Sequence, residues 1–277
     1  MTVAYIIWNF SGTLGGIGGF SVNMYGLLFA AGLALAGIWC YERFLSEGMT
    51  EKDFEIFLVW GFLCMFLGCR LGHCLFYQWG YYSHHLTEIL LPIKETADGW
   101  KFTGYRGLAS HGGAVGMIVA IIIFKLRSGA NLWKVLDIVA IGACLAGGFI
   151  RLGNLMNSEI VGIPTDLPWG FVFTKVDEVP RHPAQLYESL FYFAEFGVAA
   201  LLYDRFRYRC RLRAGGYFGG VVAVMFTFRL LIEFVKEVQE SFEAEMVLDM
   251  GQILSLPFIV VGVVIFLLKF FGKSARS

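Results

Sequence analysis

Three arginines stand alone in strongly apolar surroundings: Arg70 in "GCRLGHCLFY", Arg151 in "GGFIRLGNLMN" and Arg229 in "FTFRLLIEF". A guanidinium stays protonated, so placing it among apolar residues costs several kcal/mol unless an anion or water meets it. Planar and five-donor, it grips carboxylates and phosphates in a fork. Near the arginines in the chain's polar inventory stand Tyr25, His111, Asn154 and Glu233, the last an i,i+4 partner for Arg229. An imidazole that titrates near neutrality is a general base, and the flanking Gly112 and Gly113 let a chain or ligand approach His111 closely. Together these types suit recognition of an anionic group and a proton transfer beside it.

A single arginine near a helix end often only snorkels to the headgroups, so the elements that carry all three decide the reading. The chain has 277 residues, 57% of them hydrophobic and 16% charged, against about 25% charged in a typical soluble domain. This is the composition of an integral membrane protein. Apolar stretches long enough to span a bilayer predict helices near 22–41, 54–79, 108–125, 135–153, 184–204, 215–238 and 250–271, seven in all, with an interfacial segment before residue 20. The expectation is an all-α, polytopic single membrane domain over 1–277. The first basic residue is Arg43, so no cleavable signal peptide is expected.

Lysine and arginine counts orient the spans. Thirteen basic residues fall in the loops after the first, third and fifth helices and in the C-terminal tail, and six fall on the other side. By the positive-inside rule the C-terminus is cytoplasmic. The second, fourth and sixth helices then run outward and, at 1.5 Å per residue, carry Arg70, Arg151 and Arg229 roughly 20–25 Å from their inner ends. Tyr25, His111 and His182 belong to the outer ends of the inward-running helices, so a cationic cluster toward the outer leaflet is expected. Segment 154–183, with four prolines and short alternating runs, reads as an ordered outer loop or small hairpin over Arg151.

Other features carry less. Cys64, Cys69 and Cys74 are five apart and do not converge on a helix face, and no zinc or disulfide pattern is present. No metal or other cofactor is expected, because the arginines already supply positive charge. "GGIGG" does not follow a strand and is no nucleotide fingerprint; nucleic acid is not an expected partner. Asp137 stands alone near an inner helix end. A transporter or channel for an anionic lipid or solute is the rival class, but no pair of Gly/Pro-broken helices marks matching halves. Ser110 and His111, being adjacent, are not by themselves a protease dyad.

Six blocks in order, "GCRLGHCLFY" (68–77), "HGGAVGMIVA" (111–120), "GGFIRLGNLMNSEIVG" (147–162), "RHPAQLYE" (181–188), "FRLLIEF" (228–234) and "MGQILSLPFIVVG" (250–262), resemble the bacterial prolipoprotein diacylglyceryl transferases. The resemblance implies a multi-pass enzyme of the bacterial inner membrane with its active site toward the outer leaflet. It further implies transfer of the diacylglyceryl group of phosphatidylglycerol to the lipobox cysteine of preprolipoprotein signal peptides, releasing glycerol 1-phosphate. The family's essential positions fall on Tyr25, His111, Arg151, Asn154, Gly162, Arg229 and Glu233. His111, Arg151 and Arg229 are the expected catalytic residues; Tyr25, Arg70, Asn154, Gly162 and Glu233 are expected to bind substrate. This chain departs from the pattern at Met225, where many members carry tyrosine, and at Cys69, where glycine is usual.

Overall fold

A computed structural model describes residues 5–17, 20–91, 93–96, 99–102, 107, 109–209, 212–238, 246 and 248–272. The chain divides into two compact units, Phe44–Leu132 and the remainder, Met1–Arg43 with Trp133–Ser277.

The smaller unit contains α2 (Glu51–Phe76), the short α3 (Trp79–Tyr82) and α4 (Thr87–Leu90), a hairpin of β4 (Ile93–Thr96) and β5 (Gly99–Phe102), and α5 (Ser110–Arg127). A capping box starts α2: the Thr50 hydroxyl accepts from the Asp53 N–H, and the Asp53 carboxylate accepts from the Thr50 N–H at 2.9 Å. Glycines bring α2 and α5 backbone to backbone. A Cβ on Gly72 would stand 2.9 Å from the Gly112 Cα, and one on Gly68 3.0 Å from the Gly116 Cα. In lipid, where burial of apolar side chains between helices gains little, such small-residue faces supply the packing. The glycines after His111 thus serve approach by a helix of the same chain.

The larger unit holds α1 (Met24–Ser46, whose last turn passes into the smaller unit), α6 (Leu132–Asn157), α7 (Ala184–Phe206), α8 (Gly216–Ile232) and α9 (Met250–Phe271). A hairpin of β2 (Thr13–Ile17) and β3 (Phe20–Asn23) precedes α1. A 3-10 turn, Glu233–Val235, continues α8. The N-terminal end of α8 is held by Asp137: its carboxylate accepts the Gly215 and Phe218 N–H groups, both at 2.7 Å, and Gly215 has φ +95°. Asp137, which stands alone in its apolar run, is a helix cap supplied from α6.

The long loop is an ordered sheet. β6 (Phe171–Phe173) pairs antiparallel with β7 (Pro180–Arg181) and parallel with β1 (Ile6–Trp8). Leu155, Val161, Phe171 and Phe173 form a buried cluster under it, with Trp8, Leu152 and Leu186 against them. Residues 154–183 thus contain the β6–β7 hairpin, and the chain before residue 20 contributes strands.

Among the described residues, five helical segments are long and apolar enough to cross a membrane: α1, α2, α6, α8 with its 3-10 extension, and α9. The other two of the seven expected stretches are also helices. α5 has 18 residues, near the lower limit for a span, and α7 carries the buried Gln185, Glu188, Ser189 and Glu195. The boundary difference that bears on the site is at α6, which continues to Asn157 where the sequence reading stops at 153. Arg151 and Asn154 accordingly lie inside the helix.

Candidate active site

The last two turns of α6 project a polar face. Arg151 donates from Nη1 to Asn154 Oδ1 at 3.2 Å, and Asn154 donates from Nδ2 to Glu159 Oε2 at 3.0 Å. Asn157 holds the other Glu159 oxygen at 3.1 Å. Ser158 and Ile160 take left-handed backbone, φ 58° and 56°, on either side of Glu159. That conformation is costly for a β-branched residue, and here it turns the chain so that Glu159 faces back along the helix. Tyr25 packs its ring on Gly153; a Cβ there would lie 2.7 Å from the Tyr25 Cδ2. The Arg-Leu-Gly-Asn motif thus presents a guanidinium, a seat for an aromatic ring and an amide within about one turn of the helix.

Gly162 explains its own spacing. Its N–H donates to the His182 carbonyl at 2.9 Å, its carbonyl accepts from Arg181 Nη1 at 3.2 Å, and a Cβ would fall 2.6 Å from both the His182 and Val235 carbonyl oxygens. No side chain fits. The segment then pairs with the end of α8: Glu237 N–H donates to the Val161 carbonyl at 3.1 Å and Ile163 N–H to the Val235 carbonyl at 3.0 Å. This pairing fastens the loop after Arg151 to the turn after Arg229. Arg181, counted as a loop charge in the sequence, locks the same corner through ion pairs with Asp177 and with Glu237 at 3.0 Å. The Arg181 guanidinium holds the Asp177 carboxyl below its ordinary value.

Between these anchors runs an alternation of charges. Arg151 Nε lies 3.2 Å from Glu188 Oε2; Glu188 Oε1 lies 3.1 Å from Lys236 Nζ; Lys236 Nζ donates to Glu233 Oε1 at 3.0 Å; Glu233 Oε1 lies 3.7 Å from Arg229 Nη2. Glu188 is fully buried, yet neither of its oxygens is aligned for a hydrogen bond among the described residues. Arg229 remains about one-third exposed, its side chain at 34%. Gly251 leaves room for Glu233, since a Cβ there would come within 2.5 Å of Oε1.

The larger unit therefore brings together Tyr25, Arg151, Asn154, Gly162, Arg229 and Glu233. Arg70 and His111 belong to the smaller unit. Arg70, 4% exposed, donates from Nε to the Ile89 carbonyl at 2.9 Å and from Nη2 to the Glu88 carbonyl at 2.6 Å, and its guanidinium lies 4.8 Å from the Tyr82 ring centroid. The backbone of His111 is in the first turn of α5; its side chain lies outside the described residues.

Sequence reasoning missed Glu188 and Lys236. Glu188 closes the quoted block "RHPAQLYE", and its burden as a carboxylate one turn into an apolar helix was the available signal. Lys236 was counted only toward topology, because nothing in the sequence shows that a 3-10 turn folds it back onto Glu233.

The chain was compared with known proteins. Residues 13–268 match the family model described as prolipoprotein diacylglyceryl transferase. A phosphatidylglycerol–prolipoprotein diacylglyceryl transferase of Bacteroides fragilis is 45% identical over 269 residues, covering 97% of this chain and 96% of its own. Proteins of the same name are 37% identical in Chloroherpeton thalassium, covering 95% of this chain and 94% of their own, and 38% identical in Tolumonas auensis, covering 95% and 97%. With the family model matching nearly from end to end, and relatives this similar over the whole length, the chain belongs to the prolipoprotein diacylglyceryl transferase family.

Proposed function

We propose that this protein transfers the diacylglyceryl group of phosphatidylglycerol to the lipobox cysteine of a preprolipoprotein signal peptide, in the bacterial inner membrane. The observation that carries the chemistry is the Arg151–Glu188–Lys236–Glu233–Arg229 alternation, which holds two guanidiniums on adjoining segments of one unit with incomplete bonding. A phosphodiester is the ligand that satisfies such a pair.

In the proposed reaction the cysteine sulfur attacks the glyceryl carbon bonded to the phosphate oxygen. The S–C bond forms, the C–O bond breaks, and its electron pair leaves on the phosphate as glycerol 1-phosphate. Arg151 and Arg229 stabilise the charge that grows on that phosphate. A free thiol, with an ordinary pKa of about 8.5, is mostly protonated at neutral pH; His111 is assigned as the base that takes its proton, and the cationic arginines favour the thiolate as well. Tyr25, Asn154 and Gly162 shape the binding surface, and Glu233 sets Arg229. The hydrogen bonds of Arg70 to peptide carbonyls support a role in building its own unit rather than in contacting phosphate.

Topologically, α5 and α7 join the five apolar helices as spans six and seven. At 1.5 Å per residue they measure roughly 27 and 34 Å, close to or above the thickness of a hydrocarbon core. Thirteen basic residues against six support a cytoplasmic C-terminus and arginines toward the outer leaflet.

The test is direct. Purified protein, phosphatidylglycerol and a lipobox peptide should yield the thioether-linked diacylglyceryl peptide and glycerol 1-phosphate in equal amounts. A lipobox peptide with serine in place of cysteine should yield neither. Release of glycerol phosphate without peptide modification, or transport of lipid with no new bond, would defeat the reading.

A further inference from the structure

The charges of the site do not balance in the way a simple clamp requires. When a phosphate takes Arg151 and Arg229, it draws both cations off the carboxylates they now face. Glu188, fully buried, and Glu233, 11% exposed at its side chain, would then be left as anions in a region of low polarity. Breaking a buried ion pair by withdrawing one partner is strongly unfavourable, because the remaining charge has neither water nor counter-ion. The lipid would have to bind against that penalty.

Lys236 is placed to remove it. Its side chain is 4% exposed, and its single ammonium lies 3.1 Å from Glu188 and 3.0 Å from Glu233. It reaches both carboxylates at once, on the oxygens Oε1 of each, whereas Arg151 addresses the opposite oxygen of Glu188, Oε2. On Glu233 the arginine contact is the looser one, Arg229 at 3.7 Å against Lys236 at 3.0 Å; on Glu188 the two cations stand alike, Arg151 at 3.2 Å and Lys236 at 3.1 Å, neither aligned for a hydrogen bond. The backbone keeps Lys236 where it is, through the bridge between its own residue and Gly162 and the Glu237 N–H to the Val161 carbonyl.

We infer that Lys236 is a positioning residue, a fixed counter-cation that holds Glu188 and Glu233 while Arg151 and Arg229 are exchanged from those carboxylates to the phosphate of the lipid. In the lipid-free enzyme two carboxylates share three cations; in the complex they share one, and the phosphate takes the other two. Glu188 in this scheme competes with the lipid for Arg151 and sets a threshold against weaker anions. The inference rests on the reading that both arginines take the phosphate.

The experiment measures KM for phosphatidylglycerol and kcat in proteoliposomes at saturating lipobox peptide, normalised to folded enzyme. Lys236→Met should raise KM by roughly tenfold or more, since each arginine is then tied to a carboxylate that has no other cation. Lys236→Arg should restore a KM near that of the wild type. Glu188→Gln should lower KM by about fivefold, because a competitor for Arg151 is gone. A permanent structural tie between Arg151 and Glu188 gives the opposite sign, so a raised KM in Glu188→Gln overturns the exchange, as does an unchanged KM in Lys236→Met. Should Lys236→Met fail to fold, Glu188→Gln alone decides. Arg151→Lys, run beside them, separates the two readings: if it is impaired while Lys236→Met has an unchanged KM, only the counter-cation fails, and if Arg151→Lys itself is silent, the phosphate clamp fails.

Discussion

Arg70 and Arg151 look alike in the sequence, each an isolated guanidinium followed by Leu-Gly in an apolar helix, but they are used differently. Arg70 is spent on peptide carbonyls: Ile89 and Glu88 take its protons at 2.9 and 2.6 Å, the Tyr82 hydroxyl accepts at 3.2 Å, and the ring of that tyrosine covers it. Those acceptors are neutral, local and part of the α3–α4 turns, so the arginine cannot leave without unravelling them. Arg151 instead faces an amide and an unaligned carboxylate that has a second cation of its own. A buried charge that is saturated by backbone is architecture. One that is held by exchangeable partners is available to a ligand.

The largest effect that bears on this contrast is expected at Gly162, on which the Arg151 corner depends. In Gly162→Ala the new methyl meets two carbonyl oxygens at 2.6 Å, so the 158–164 segment must separate from 235–237. A displacement of about 1 Å between Arg151 and Arg229 costs on the order of a hundredfold in rate. Thioether formation by membrane-inserted variant should fall by that much or more, and turnover within a few-fold of wild type would show that the two arginines need no fixed spacing.

Arg70→Lys should have a smaller effect on activity and act through stability. Lysine keeps the charge but cannot meet carbonyls and a phenol at fixed angles, so the smaller unit should lose roughly 2–4 kcal/mol. The melting temperature in detergent should drop while turnover per folded molecule stays close to the wild type. A stable Arg70→Lys enzyme with a raised KM for phosphatidylglycerol would erase the distinction between the two arginines and return Arg70 to the lipid site.

The sequence made the elements legible because membrane helices announce themselves by length and apolarity: all seven expected stretches form helices, and five of them, among the described residues, are long and apolar enough to cross a membrane. It also singled out Arg151, Asn154, Gly162, Arg229 and Glu233 as candidates, through the cost of charge in lipid and through the family resemblance. What stayed hidden depends on geometry that short-range pattern does not encode. Asp137 looked solitary because its partners are backbone N–H groups 78 and 81 residues away. Gly162 was identified by resemblance, but the crowding by His182 and Val235 that makes it obligatory comes from two distant segments. Lys236 sat in a polar stretch at a helix end, where a solvated charge is the ordinary outcome, and only the 3-10 turn brings it inside. Composition and spacing alone do not tell Arg70 from Arg151, because the acceptors that saturate Arg70 are main-chain carbonyls that any sequence would supply.

The central claim is that Arg151 uses its planar fork on a phosphate rather than anchoring a helix end. Arg151→Lys tests it most directly, with thioether formation on a lipobox peptide measured at equal amounts of folded, membrane-inserted protein. Lysine retains the charge and snorkels as well as arginine, but supplies a point charge without the bidentate geometry. Loss of roughly 3 kcal/mol of transition-state stabilisation predicts transfer slowed by about a hundredfold or more. An Arg151→Lys enzyme turning over at the wild-type rate would contradict the account.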